Sequence, residues 1–174
     1  QYLPSLSNAV YDNQGIGSST ILDYDSLPNM LTAIKGYSNY ASKDIVIVEG
    51  FVNDFYYNGE HLGTWKDTNE TTVCGCLRSA LNYILTQNAY ATIFVVFDHY
   101  GSGITASTAT NTAGDTQFEF YEELAKVAES LGAYVIKLYA ESGINEKTTQ
   151  YLIDNIHPSA AGALQTALTI WNSM

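Results

Sequence analysis

Near the end of the chain the run "YLIDNIHPSAAG", residues 151 to 162, sets Asp154 three positions before His157. A carboxylate beside an imidazole is half of a proton relay: the acid fixes the ring's tautomer, and the ring takes and returns a proton. Such a base has work only beside a nucleophile, and beside donors for the negative charge that attack creates. Two other stretches follow strand-like runs and could gather beside it. "EGFVNDF", residues 49 to 55, places Asn53 and Asp54 after an apolar run. "NQGIGSST", residues 13 to 20, is a Gly-rich turn through Gly17 and Ser18. Asp98 and His99 are adjacent, and sequence neighbours rarely face each other, so His99 is expected to line a loop or pocket rather than complete a second relay. Trp65 and His61, in the long loop that follows residue 55, are further candidates for the border of a pocket.

These residues need elements to position them. The chain alternates between short apolar runs of strand length and stretches of helical period. Strands are expected at 9–15, 44–50, 92–98 and 133–139. Helices are expected over 27–40, from Val73 to Leu85, from Phe118 to Leu131 with Gly132 closing it, and after Pro158, which suits a first turn. On that last helix Ala161, Leu164, Leu168 and Trp171 fall on one face. Strand–helix alternation implies parallel strands with right-handed crossovers and helices on both sheet faces, a three-layer α/β/α sandwich. Ligands of such folds sit beyond the carboxyl ends of the strands. Gly17, Ser18, Asn53, His99 and the 154–157 segment all follow strands in this reading, so one sheet edge can gather them.

Composition narrows the function. Of the 174 residues 18 are acidic and 7 basic, a formal charge of −11 that repels phosphate backbones and anionic lipid. Nucleic acid is therefore not an expected partner. No apolar run reaches the roughly 20 residues of a membrane span, so no membrane insertion is expected. Gly15-Ile16-Gly17 lacks the third glycine of a dinucleotide fingerprint, and G-x-S-x-G is absent. Cys74 and Cys76 are read as packed thiols: zinc would need two further ligands, and no second cysteine pair exists. No metal and no organic cofactor is implied.

Taken together, "GFVNDF", "DNIHPSAAG" and "NQGIGSST" resemble three of the four sequence blocks of the SGNH, or GDSL-type, serine hydrolases. The resemblance runs over nearly the whole chain. It implies a flavodoxin-like parallel sheet, with His157 as the base, Asp154 as its orienter, and Asn53 with a main-chain N–H at Gly17 or Ser18 as oxyanion donors. Asp54, by the same token, supports the loop or lines the pocket. Where the family has a glycine at the oxyanion turn this sequence has Ser18, which serves if its backbone conformation is tolerated. The block that carries the nucleophilic Ser, "GDS", is absent, and with it the central first strand between 9–15 and 44–50. The expectation is a single domain over 1–174, N-terminally incomplete, whose missing strand and Ser come from an upstream segment or another chain. The resemblance implies an esterase acting on small-acyl or carbohydrate O-acetyl esters, and the acidic, Lys-poor, Tyr-rich composition favours a place outside the cell, at its surface or on a virion. The alternatives are a non-catalytic carbohydrate-binding or structural module, and an acyltransferase using the same residues.

Overall fold

A computed structural model describes residues 9–174. Strands β1 (Ile45–Gly50), β2 (Thr92–Phe97) and β3 (Tyr134–Lys137) lie parallel in the order β1-β2-β3. Val48 pairs with Val95, and Val95 with Val135, so side chains alternate in step between two sheet faces. One face is covered by helices α3 (Val73–Gln87) and α4 (Gln117–Ser130), with α1 (Met30–Gly36) packed on α3. Leu77, Leu81, Ile84, Phe120 and Leu124 close over Val48, Val95 and Phe97 there. The other face is a smaller cluster of Phe94, Val96, Ile136 and Leu138 under Ile170 of α6 (Ala160–Ser173). This is the three-layer α/β/α sandwich expected from the alternation.

Local chemistry sets the helix ends. Thr72 accepts from the Gly75 N–H, and Ser159 from the Gly162 N–H. Thr116 and Glu119 form a reciprocal capping box at the start of α4. Each such cap stabilises its helix by about 1 kcal/mol. Two short helices follow strands directly: α2 (Val52–Tyr57) after β1, and α5 (Leu138–Glu141) after β3.

Four local expectations are corrected. Residues 9–15 form no strand; they are exposed, and the segment first bonds to its surroundings in regular fashion at a bridge between Thr20 and Asn29. A strand is stable only beside another, and among the described residues 9–15 pairs with none. The last strand ends at Lys137 rather than 139, because Glu141 turns back to accept the Lys137 N–H and starts a helical turn. Pro158 precedes the cap Ser159 and so lies outside the final helix. That helix also presents a different face from the one its apolar spacing suggested. Leu164 and Trp171 are each 40% exposed, while Gly162, Ala167 and Ile170 are buried. Gly162 decides the rotation: a Cβ there would stand 2.1 Å from the Tyr151 carbonyl oxygen, so only glycine allows the close approach that turns this face inward.

Candidate active site

The exit from β1 is a sharp reversal. Gly50 has φ +140° and Phe51 φ +85°, a left-handed conformation that a non-glycine residue adopts only at a cost. Burial of the Phe51 ring against Phe97, with centroids 5.4 Å apart, holds it there. The reversal places Asn53 in the first turn of α2. Its side-chain amide donates to the Ser19 carbonyl at 3.1 Å. One of its two N–H bonds is thereby anchored, and the other remains to donate. Ser18, at φ +62°, makes the left-handed turn beside it. The Gly17-Ser18 turn and Asn53 are thus brought together.

Asp54, next to Asn53, has a different task. Its carboxylate is fully buried and accepts from the Ile21 N–H at 2.9 Å and the Leu22 N–H at 3.1 Å. Asn58 adds a side-chain N–H at 3.2 Å and donates to the Leu22 carbonyl as well. Burial pushes the Asp54 carboxyl up to about 6 despite these donors. Asp54 lines no pocket: it staples the segment after the Ser18 turn onto α2.

At the exit from β2, Asp98 and His99 take separate partners. The Val52 N–H points at the Asp98 carboxylate at 3.3 Å, tying the two strand exits together. Burial, with the charge of Glu49 adding to it, pushes the Asp98 carboxyl up to about 8, so it is neutral at pH 7. His99 donates from Nε2 to the Ile156 carbonyl at 3.1 Å, and its own carbonyl accepts from the buried Gln117 side chain at 3.2 Å. Burial lowers the His99 pKa and keeps the ring neutral beside His157. The Ser102 N–H holds the Asn155 carbonyl at 2.7 Å, and a Cβ on Gly101 would stand 2.5 Å from the same oxygen. The 99–102 loop is therefore a cradle for the 154–157 loop.

Within that loop Asp154 and His157 form the expected pair. His157 donates from Nδ1 to Asp154 Oδ2 at 2.8 Å, and its main-chain N–H meets Oδ1 at 2.8 Å. These bonds, with a third from the Ile156 N–H, hold the Asp154 carboxyl at about 2. The arrangement leaves the His157 Nε2 side of the ring to exchange a proton. Both side chains are open to solvent, 74% and 54% exposed. A chain of contacts, from Ser19 through Asn53, Val52, Asp98 and His99 to Ile156, puts Asn53 and the Asp154–His157 pair at one end of the sheet.

Comparison with known proteins bears on the family and the fold. A family model for the GDSL-like lipases/acylhydrolases matches residues 1–164. The chain belongs to that family. Membership makes it a hydrolase by class. No curated protein matches the sequence. Among solved structures, a protein from Lactobacillus plantarum is 24% identical with a TM-score of 0.79, over 92% of this chain and 78% of that one. A protein from Chitinophaga pinensis described as a possible lipase is 18% identical with a TM-score of 0.58, over 74% and 71%. These likenesses bear on the fold.

Other residues of this GDSL-like hydrolase stand apart from the site. Trp65 is bonded through its main chain to Glu123 and Arg78, on α4 and α3, and its ring lies under the Lys66 ammonium. Cys74 and Cys76 are buried at the start of α3, and burial pushes both thiols up to about 12, which keeps them from acting as thiolates. Among the described residues no group of three or more His, Cys, Asp or Glu could hold a metal ion. The positioning part of His99 escaped the sequence, as did the partners through which Asp54 supports the loop, because those partners lie 57 and 33 positions away. The isolated Gly101 after a strand was the one local hint of a close backbone approach.

Proposed function

We propose that this chain carries the base and the oxyanion donors of a serine esterase acting on small-acyl esters, carbohydrate O-acetyl groups among them. The observation that carries the reading is the 2.8 Å bond from His157 Nδ1 to Asp154, at the same sheet end as the Asn53 amide. In this scheme His157 Nε2 takes the proton of a Ser hydroxyl as its oxygen bonds to the ester carbonyl carbon. The oxyanion accepts from the second Asn53 N–H and from the Ser18 main-chain N–H. Collapse breaks the bond to the leaving alcohol, which receives the proton from His157. Water, deprotonated by the same ring, then releases the acid and restores the Ser.

The serine arrives on a strand that pairs with the second edge of β1. Support comes from that edge, which has no strand beside it among the described residues, and from the openness of His157, which such a strand and the substrate would cover.

Fluorophosphonate labelling of the natural full-length polypeptide tests the scheme. Labelling of one Ser, lost in His157→Ala together with turnover of 4-nitrophenyl acetate, is the expected outcome. No labelled Ser, with His157→Ala behaving as the unmodified protein, would refute it and favour a binding module.

A further inference from the structure

A concavity lies beside the segment that follows the Ser18 turn. It has a volume of about 370 Å³ and is lined by Asp23, Tyr24 and Asp25 from the segment after the Ser18 turn, and by Tyr57, Asn58 and His61 from the end of α2 and the turn beyond it. Tyr57 is four residues, about one helical turn or 6 Å of rise, beyond Asn53. The concavity thus lies about one helical turn along α2 from Asn53.

Its chemistry is specific. The Tyr24 and Tyr57 rings lie 4.8 Å apart at 30°, and Tyr56 meets Tyr57 edge-on at 4.6 Å. Tyr57 and Tyr56 remain 40% and 46% exposed, so the cluster is an aromatic surface rather than core. Two carboxylates and the His61 imidazole rim it, and no Lys or Arg lines it. Apolar ring faces beside carboxylate acceptors suit a molecule with C–H faces and many hydroxyl or ammonium donors. They do not suit an anion, which would meet Asp23 and Asp25 as well as the chain's net charge of −11.

The surface is also built rather than loose. Asp54 and Asn58 clamp Leu22 from both its N–H and its carbonyl, so the segment bearing Asp23 to Asp25 has a fixed base. Asp25 sits at φ +46°, in the left-handed region that Asp and Asn adopt more readily than other non-glycine residues. The Leu27 N–H closes that turn on the Tyr24 carbonyl at 3.0 Å.

We infer that the Tyr24–Tyr57 concavity is a saccharide subsite that takes a neutral or amino-bearing sugar ring and excludes acidic ones. This rests on the esterase reading only for what the subsite presents, namely the alcohol portion of the ester; binding itself needs no catalysis. The test is equilibrium binding of three unreactive oligosaccharides, followed by tyrosine fluorescence. They are a trimer of N-acetylglucosamine, a trimer of glucosamine and a trimer of galacturonate.

The first two trimers are expected to bind and the third not. Tyr57→Ala is expected to weaken binding roughly tenfold, the upper end of what one aromatic stacking contact contributes, and Tyr57→Phe to retain it. Asp25→Asn, compatible with the left-handed backbone, is expected to weaken the glucosamine trimer several-fold more than the acetylated one. Binding of no trimer, equal binding of the galacturonate trimer, or unchanged affinity in folded Tyr57→Ala would overturn the inference. Hydrolysis of 4-nitrophenyl acetate, measured separately, reports on the esterase reading alone, so either idea can fail without the other.

Discussion

Asp54 and Asp154 each sit within a short motif, one at the exit from β1 and one in the loop before α6, and the structure uses them in opposite ways. Asp54 is buried, spends its oxygens on the Ile21 and Leu22 N–H groups, and has its carboxyl raised to about 6. Asp154 is in water, faces His157, and has its carboxyl held at about 2. One carboxylate fixes where the segment after the Gly17-Ser18 turn lies; the other fixes how an imidazole points. The difference teaches that a site of this kind has a rigid side, bought with burial, and an open side held by local hydrogen bonds. Desolvation dominates the first pKa, and donors to the charged form dominate the second.

The largest expected effect would come from the open side. His157→Ala and Asp154→Asn should each cost on the order of 10³-fold or more in ester turnover, while thermal melts move little, since both side chains are largely in water. A similar loss of stability in either variant would break the contrast. On the rigid side the balance reverses. Asp54→Ala orphans two buried N–H groups and should lower stability by about 2–4 kcal/mol in urea unfolding at pH 5, with activity lost only as the turn loosens.

The pH dependence sharpens the same contrast through its sign. Asp54 binds its proton more tightly folded than unfolded, so its contribution is complete below the ordinary 3.8 and is lost as pH rises through about 6. The loss is on the order of 3 kcal/mol, read as the difference between the unmodified protein and Asp54→Asn across pH 4 to 7 (a range set by those two values). Asp154 runs the other way: its contribution is present above the ordinary 3.8 and disappears as pH falls through about 2. Identical pH profiles for the unmodified protein and Asp54→Asn would mean that Asp54 is not desolvated as described.

The smallest effect concerns the link between the two sides. His99→Ala frees the Ile156 carbonyl and should lower kcat roughly tenfold with KM unchanged, because a shift of a fraction of an ångström at His157 is enough. His99→Gln, which keeps an N–H donor, should recover much of the loss. Equal kcat in all three proteins would show that the cradle of Gly101 and Ser102 suffices without it.

Features whose causes are local were open to sequence reading. Asp154 and His157 close a bond three residues apart, and the Thr116–Glu119 capping box spans the same interval, so spacing alone carries both. The β-branched run at β1 and the apolar run at β2 gave the parallel layers for the same reason: a strand covered on both faces must be apolar throughout. Asn53 was legible as a donor because it follows such a run directly.

What needed the tertiary structure were contacts between distant segments and the absence of neighbours. Residues 9–15 have a strand-like composition, yet strand formation depends on a partner edge that composition does not report. The apolar stripe of Leu164 and Trp171 predicts a buried face, yet the Gly162 approach to Tyr151 turns a different one inward. Asp54 reads like a loop acid until Ile21 and Leu22 are seen to donate to it. By itself, then, the sequence determined which side chains can do chemistry and which layers hold them, because short-range spacing and periodicity are properties of the chain. Only the folded structure decided which acid is buried, which histidine steadies the other, and which edge of the sheet stands open, because desolvation and close approach exist only once distant segments meet.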